Sequence, residues 1–218
     1  MEQQTLDSLT IEVDAEHVGI RSALFGAFVG GGVLGYLIAA TLFSSGNFSL
    51  LAVIGAMIGS FVVSNITERL LVGRWKSGRV VKVDTQGVRT MQKERVQKSI
   101  DGGALANVLR WRFEVQKRAR VPQGWFMIAC ALEQDDNFLV AYTFVSPKQF
   151  EDMEDAALYP LLLSKKDKKA EQDLRLAGVQ RRLQTAETYR WAEGAEMNDK
   201  DFAAFMTRIQ SQFPTWIF

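Results

Sequence analysis

Apolar and polar positions fall into blocks along this chain. No charged residue occurs from Ala23 to Phe43, or again from Phe48 to Val63. The first run, ALFGAFVGGGVLGYLIAATLF, has 21 residues, enough for a helix rising about 1.5 Å per residue to cross a ~30 Å hydrocarbon core. The second, FSLLAVIGAMIGSFVVSNI, has 19 and also suffices. Only Ser44-Ser45-Gly46-Asn47 lies between them, which predicts a tight antiparallel connection. The pattern therefore predicts a helical hairpin with spans over about 23–43 and 48–66. A cleaved leader is the competing reading of the first run, but Glu2, Asp7, Glu12, Asp14 and Glu16 precede it where a leader carries basic residues.

Beyond the hairpin the period changes. Val80 to Asp84 and Val88 to Lys93 flank Thr85-Gln86-Gly87 and predict a β-hairpin. A mobile-looking stretch from Ser99 to Ala106 follows. Leu109, Trp111, Phe113 and Val115 then alternate with Arg110, Arg112, Glu114 and Gln116, a period of two that puts aromatics on one face and charges on the other. Trp125 to Leu132 and Phe138 to Val145 predict two more strands around a longer loop, Glu133 to Asn137. Ser146-Pro147-Lys148-Gln149 carries a capping box with proline at the first helical position. A closing helix is expected there, with Phe150, Met153, Ala157 and Leu158 on one face, until Pro160 interrupts it.

The remainder reads as helical. Lys165-Lys166-Asp167-Lys168-Lys169 opens it, and Leu176, Val179, Leu183 and Ala186 form a narrow apolar stripe in a run ending near Glu193. Asn198 or Asp199 then caps a last amphipathic helix bearing Phe202, Phe205, Met206 and Ile209. The apolar end, Phe213 to Phe218, either packs on its own domain or docks into a partner or the membrane surface. The expected organisation is an acidic N-terminal tail over 1–19, a transmembrane hairpin over 20–75, an antiparallel β domain with a closing helix over 76–163, and a helical extension over 164–218. In fold class this is a membrane α-helical hairpin plus a small α+β domain.

Charge sets the expected orientation. Arg69, Arg74, Lys76, Arg79 and Lys82 crowd the C-terminal side of the second span, while the inter-helix loop has none. The positive-inside rule puts that side in the cytoplasm, and with two spans both termini follow. A multi-pass protein of a cell (inner) membrane is the expected localisation. The single cysteine, Cys130, admits no internal disulfide and fits a reducing compartment. The net charge of +1 across 218 residues gives no basis for a nucleic-acid partner.

Small residues recur at spacings of four: Gly26 with Gly30 and Gly31 with Gly35 on the first span, Ala52, Ala56 and Ser60 beside Gly55 and Gly59 on the second. Such a zipper of small residues lets helix backbones approach closely in lipid. It serves packing within the hairpin or association with a second copy or another membrane subunit. Gly30-Gly31-Gly32-Val33-Leu34-Gly35 matches G-x-G-x-x-G, but a dinucleotide site needs a preceding strand and an acidic residue about 20 positions on. Neither is present.

Candidate chemistry is sparse. His17 is the only histidine, which excludes multi-histidine metal binding. Cys130 lies among apolar neighbours and reads as a core residue. Asp135-Asp136 and the group Glu151, Asp152, Glu154 and Asp155 read as solvated charge. No cofactor, metal site or enzymatic activity is expected.

Two N-terminal spans, the Leu109-Arg110-Trp111 strand, and a last strand running into Val145-Ser146-Pro147-Lys148-Gln149-Phe150 resemble bacterial membrane proteins with a YcxB-like, pleckstrin-homology-like domain. The resemblance covers residues 20 to about 163 and departs from Lys165 onward. It implies a fold akin to phosphoinositide-binding modules and transfers no catalytic residue. The functional expectation is a non-enzymatic membrane scaffold or accessory subunit with membrane lipids and a homo-oligomeric or membrane-protein partner. Alternatives are an oligomeric channel or transport component, and a module sensing anionic lipid.

Overall fold

A computed structural model describes residues 8–14, 18–43, 50–72, 74–116, 121–163 and 174–217. The chain divides into two compact units, Ala15–Ser77 and a second made of Met1–Asp14 with Gly78–Phe218. The first is a pair of long helices, α1 (Val18–Phe43) and α2 (Leu50–Val72). Both are long and apolar enough to cross a membrane, and only 17% and 11% of their most apolar windows are buried. That exposure sets them apart from the core helices of a soluble protein, which bury most of their surface. The expected connection over Ser44 to Asn47, and His17, lie outside the described residues.

The second unit contains two four-stranded sheets. The first has the order β1 (Leu9–Glu12), β2 (Arg79–Asp84), β3 (Gly87–Gln92), β4 (Arg95–Asp101), antiparallel throughout. The second runs β5 (Asn107–Glu114), β6 (Phe126–Gln134), β7 (Asn137–Val145), β8 (Ala195–Glu196), with only the β7–β8 pair parallel. A main core lies between them. Ile11, Val81, Val83, Val88 and Ile100 of the first sheet meet Val108, Ile128, Cys130, Leu132 and Leu139 of the second.

Helix α5 (Asp199–Gln212) completes that core with Phe202, Phe205, Met206 and Ile209. It begins where its cap dictates, since the Asn198 side chain accepts from the Asp201 amide at 2.8 Å. A second core forms on the other face of the β5–β8 sheet, where Leu183 and Ala186 of α4 (Leu174–Glu193) cover Trp111, Met127, Ala129 and Val140. The second sheet is thus covered on both sides.

Several expectations need correction. Residues 9–12, read as part of a tail, form a strand because Leu9 to Glu12 pair with Val83 to Val80 across the entire hairpin insertion. Ser99, Ile100 and Asp101, read as mobile, belong to β4, whose Ile100 is buried. The β6–β7 connection is shorter than expected: Gln134 pairs with Asn137, and Asp135 at φ +52° makes the tight turn. The closing helix, α3 (Pro147–Glu151), has five residues and buries only Phe150, although its Ser146–Gln149 capping box is formed. Glu151, Asp152, Glu154 and Asp155 crowd the end where carbonyl dipoles disfavour negative charge, and only a short turn over Ala156–Leu158 follows.

The charged face of β5 is covered at its two arginines, while Glu114 is exposed. Arg110 is 6% exposed and faces the main core, while Arg112 lies over the rings of Phe150 at 4.6 Å and Phe126 at 5.4 Å. A period of two marks a strand, but it cannot tell whether a second layer will cover the polar face. In α4, Leu183 and Ala186 are buried whereas Leu176 and Val179 are exposed. Gln180 takes the inward place, accepting from the Leu163 amide at 2.9 Å and donating to the Leu161 carbonyl at 3.0 Å. The apolar end packs on its own domain: Phe213 and Trp216 stack at 4.2 Å, both buried, and Ile217 bonds to Ala106 and Val108. Lys165 to Lys169 and Phe218 lie outside the described residues.

Candidate functional site

Within the helical unit the closest approach of α1 and α2 is built from missing side chains. A β-carbon placed on Gly31 would stand 2.6 Å from the Gly59 carbonyl oxygen and 2.7 Å from Val63 Cβ. One on Gly55 would meet Ala39 Cβ at 2.5 Å and the Gly35 oxygen at 2.8 Å. Gly35 and Gly59 are equally crowded by Gly55 and Gly31. Ala52 is fully buried, and Ser60 is buried with its hydroxyl where a Gly32 side chain would go. Ala56 is half-buried.

The remaining pair behaves differently. Nothing lies within 4 Å of a β-carbon at Gly26 or Gly30. Both glycines are exposed, each following an exposed apolar residue, Phe25 and Val29. The small residues therefore divide into a face used inside the hairpin and a groove left open on α1.

The polar unit is tied together at the point where the chain leaves for the hairpin and returns. The Val13 amide donates to the Arg79 carbonyl at 3.1 Å, and Arg79 Nη1 donates to Asp14 Oδ2 at 2.7 Å. The same guanidinium reaches the carbonyls of Gly194, at 3.0 Å, and Glu193. Asp14 completes the clamp by accepting from the Glu196 amide at 3.0 Å. Its backbone sits at φ +56°, a left-handed conformation that Asp tolerates better than most residues.

Arg79 is accordingly only 15% exposed. Of the basic band, Arg69, Arg74 and Lys76 are exposed, whereas Arg79 is committed to this clamp and Lys82 lies 3.6 Å from Asp84. The residues that sequence reasoning missed are Asp14, Glu193, Gly194 and Glu196. No local pattern signals them, because the pairing spans segments far apart in the chain.

Two titratable groups are strongly perturbed. Burial pushes the Cys130 thiol up to about 12, against a smaller opposing pull from Arg110 across the ladder. Burial likewise drives the Tyr159 phenol upward, helped by Cys130 and Asp155. Arg110 stands beside them, with Nη1 3.6 Å from Asp155 Oδ2 and its guanidinium 5.8 Å from the Tyr159 ring. On the other face of the sheet, Trp111 Nε1 donates to Glu187 at 3.0 Å, and Glu187 also grips the buried Arg190 at 2.6 to 2.9 Å. A thiol this buried and this basic is not a nucleophile at neutral pH. Among the described residues, no three His, Cys, Asp or Glu side chains are grouped so as to hold a metal ion.

Compared with protein-family models, with curated proteins and with solved structures, the chain has no match.

Proposed function

We propose that the chain is a non-enzymatic accessory or scaffold subunit of a cell membrane, anchored by the α1–α2 hairpin and presenting its two-sheet unit to a protein partner on the cytoplasmic side. The observation that carries the topology in this reading is the β1–β2 ladder. Leu9 to Glu12, before the first helix, pair residue by residue with Val83 to Val80, after the second. Backbone hydrogen bonds cannot form across a bilayer, which supports a reading with both ends of the hairpin on one side, as two full spans require. The exposed Arg69, Arg74 and Lys76 beside the end of α2 favour the cytoplasm for that side.

The open groove at Gly26 and Gly30 supports association in the bilayer with a second copy or another membrane subunit. The burial of Cys130 and its raised pKa speak against that thiol as a nucleophile. A YcxB-like, pleckstrin-homology-like kinship of the polar unit is part of this proposal. Two antiparallel-rich sheets about the main core support it.

Topology is tested by labelling whole cells with an impermeant thiol reagent. Ser45→Cys in a Cys130→Ala background is expected to react from outside, and a cysteine at Glu12 only after permeabilisation. Protection of position 45 together with external labelling at position 12 would invert the orientation.

A further inference from the structure

Between α5 and the segment running from α3 to Tyr159 the polar unit holds a half-open cleft of about 560 Å³. That volume falls within the range of small-molecule sites, ~300–1,000 Å³. Its floor is apolar: Ile128 and Val145 from the second sheet, Phe202 and Met206 from α5. Its rim carries four carboxylates, Asp152, Glu154, Asp155 and Asp199, against one ammonium, Lys200.

The four are not equivalent. Asp155 lies 3.6 Å from the buried Arg110, and Asp199 accepts from Gln149 at 3.0 Å. Asp152 and Glu154 are exposed. A cleft with an apolar base and a surplus of negative charge at its mouth selects the sign of what enters it.

One further observation points to a ligand. Tyr159 lines the cleft and is 1% exposed, and its hydroxyl lies beside the Asp155 carboxylate without a hydrogen bond of ordinary geometry. A buried hydroxyl with no partner is costly, and native structures retain few of them. A donor or acceptor delivered through the cleft would satisfy it.

We propose that this cleft is a binding site for a small organic cation joined to an apolar body, an aryl or alkyl amine or guanidine. The apolar part lies against Phe202, Met206 and Ile128, and the cationic head reaches Asp152 and Glu154. The site belongs to the polar unit alone and does not depend on the membrane role proposed above.

The test uses the full chain in detergent micelles, with empty micelles as the partition control and calorimetry as the readout. The probes are 2-phenylethylamine, 2-phenylethanol and 3-phenylpropionate, which share a ring and differ in charge. The amine is expected to bind at least tenfold more tightly than the alcohol, and the carboxylate not at all. Binding of the amine should weaken as salt rises, because the rim charges are exposed. Asp152→Asn with Glu154→Gln changes charge without volume at exposed positions, and should weaken the amine at least fivefold with an unchanged melting temperature. Ala203→Trp, which fills the cleft from the exposed face of α5, should abolish binding. Equal binding of amine and carboxylate, or amine binding that survives Ala203→Trp, would overturn the proposal.

Discussion

Arg79 and Asp14 stand 65 positions apart, and their side chains meet at 2.7 Å. The interaction closes the polar unit at the base of the hairpin insertion, because the same guanidinium also holds the carbonyls of Glu193 and Gly194 after α4. Replacing Arg79 with Gln leaves a shielded carboxylate and two carbonyls without their donor. The expected loss is roughly 2–4 kcal/mol, in the range for breaking a largely buried charged network. Arg79→Lys should recover less than half of it, since an ammonium cannot reproduce the planar fork. Denaturant unfolding followed by tryptophan fluorescence measures both. A loss below about 0.5 kcal/mol would show that the clamp is ornamental.

The ladder of β1 makes a prediction about fragments. A polar fragment starting at Lys76 lacks Ile11 and Val13, both buried in the intact unit, and leaves β2 as an open edge. It should associate and unfold at a lower temperature than a version that keeps residues 8–14 and replaces 15–77 with a loop of about four Gly and Ser residues. The short loop suffices because the Val13 amide and the Arg79 carbonyl are already bonded. Size-exclusion chromatography and thermal unfolding compare the two. Identical behaviour would mean that β1 adds nothing.

The two classes of glycine should separate experimentally. Gly35→Leu or Gly59→Leu forces a side chain into opposing backbone and should disrupt the hairpin itself, read as loss of helix–helix proximity in a cross-linking assay. Gly26→Leu with Gly30→Leu meets open space within the chain. It should leave the hairpin intact and reduce the mass of the detergent-solubilised particle. A pair of leucines at 26 and 30 that changes neither property would remove the groove from the proposed association.

Alkaline pH should weaken the polar unit. The Cys130 thiol is raised from its ordinary 9.0 to about 12 by burial, so the unfolded chain ionises first. The stability owed to the protonated thiol is whole below pH 9 and is lost as pH climbs toward 12. Linkage allows up to ~1.4 kcal/mol per pH unit for one such group in that window. The stability gap between the native chain and Cys130→Ala, measured by denaturant midpoints at pH 8, 9.5 and 11, should narrow as pH rises. A constant gap would mean that the thiol does not titrate differently in the two states.

What was legible in the sequence follows from the range of each interaction. The hairpin was readable because a charge-free run reports its own length and needs no partner. The cap of α5, narrowed in sequence to Asn198 or Asp199, and the Ser146–Gln149 box were readable because a cap is satisfied within one helical turn. Strand β1 was not, since LTIE is a strand only when RVVKVD lies beside it, and the two are separated by both helices. The burial of Arg110 was hidden for the same reason. Its neighbours Asp155 and Tyr159 come from a segment well beyond the end of its strand, and no period within β5 announces them. The acidic group from Glu151 to Asp155 was recognised as charge, while the cleft it borders became visible only once α5 lay opposite.

The insertion of the hairpin between β1 and β2 also dictates an order of events on the ribosome. Strand β1 precedes both helices in the chain and has no partner until β2 follows them. At the far end, Ile217 exchanges hydrogen bonds with Ala106 and Val108, so no shorter nascent chain can finish the second sheet. Contacts this distant in sequence slow folding and lengthen the time that apolar edges stay uncovered. The uncovered edge of β1 therefore persists for a defined interval of synthesis, from its own emergence to that of β2.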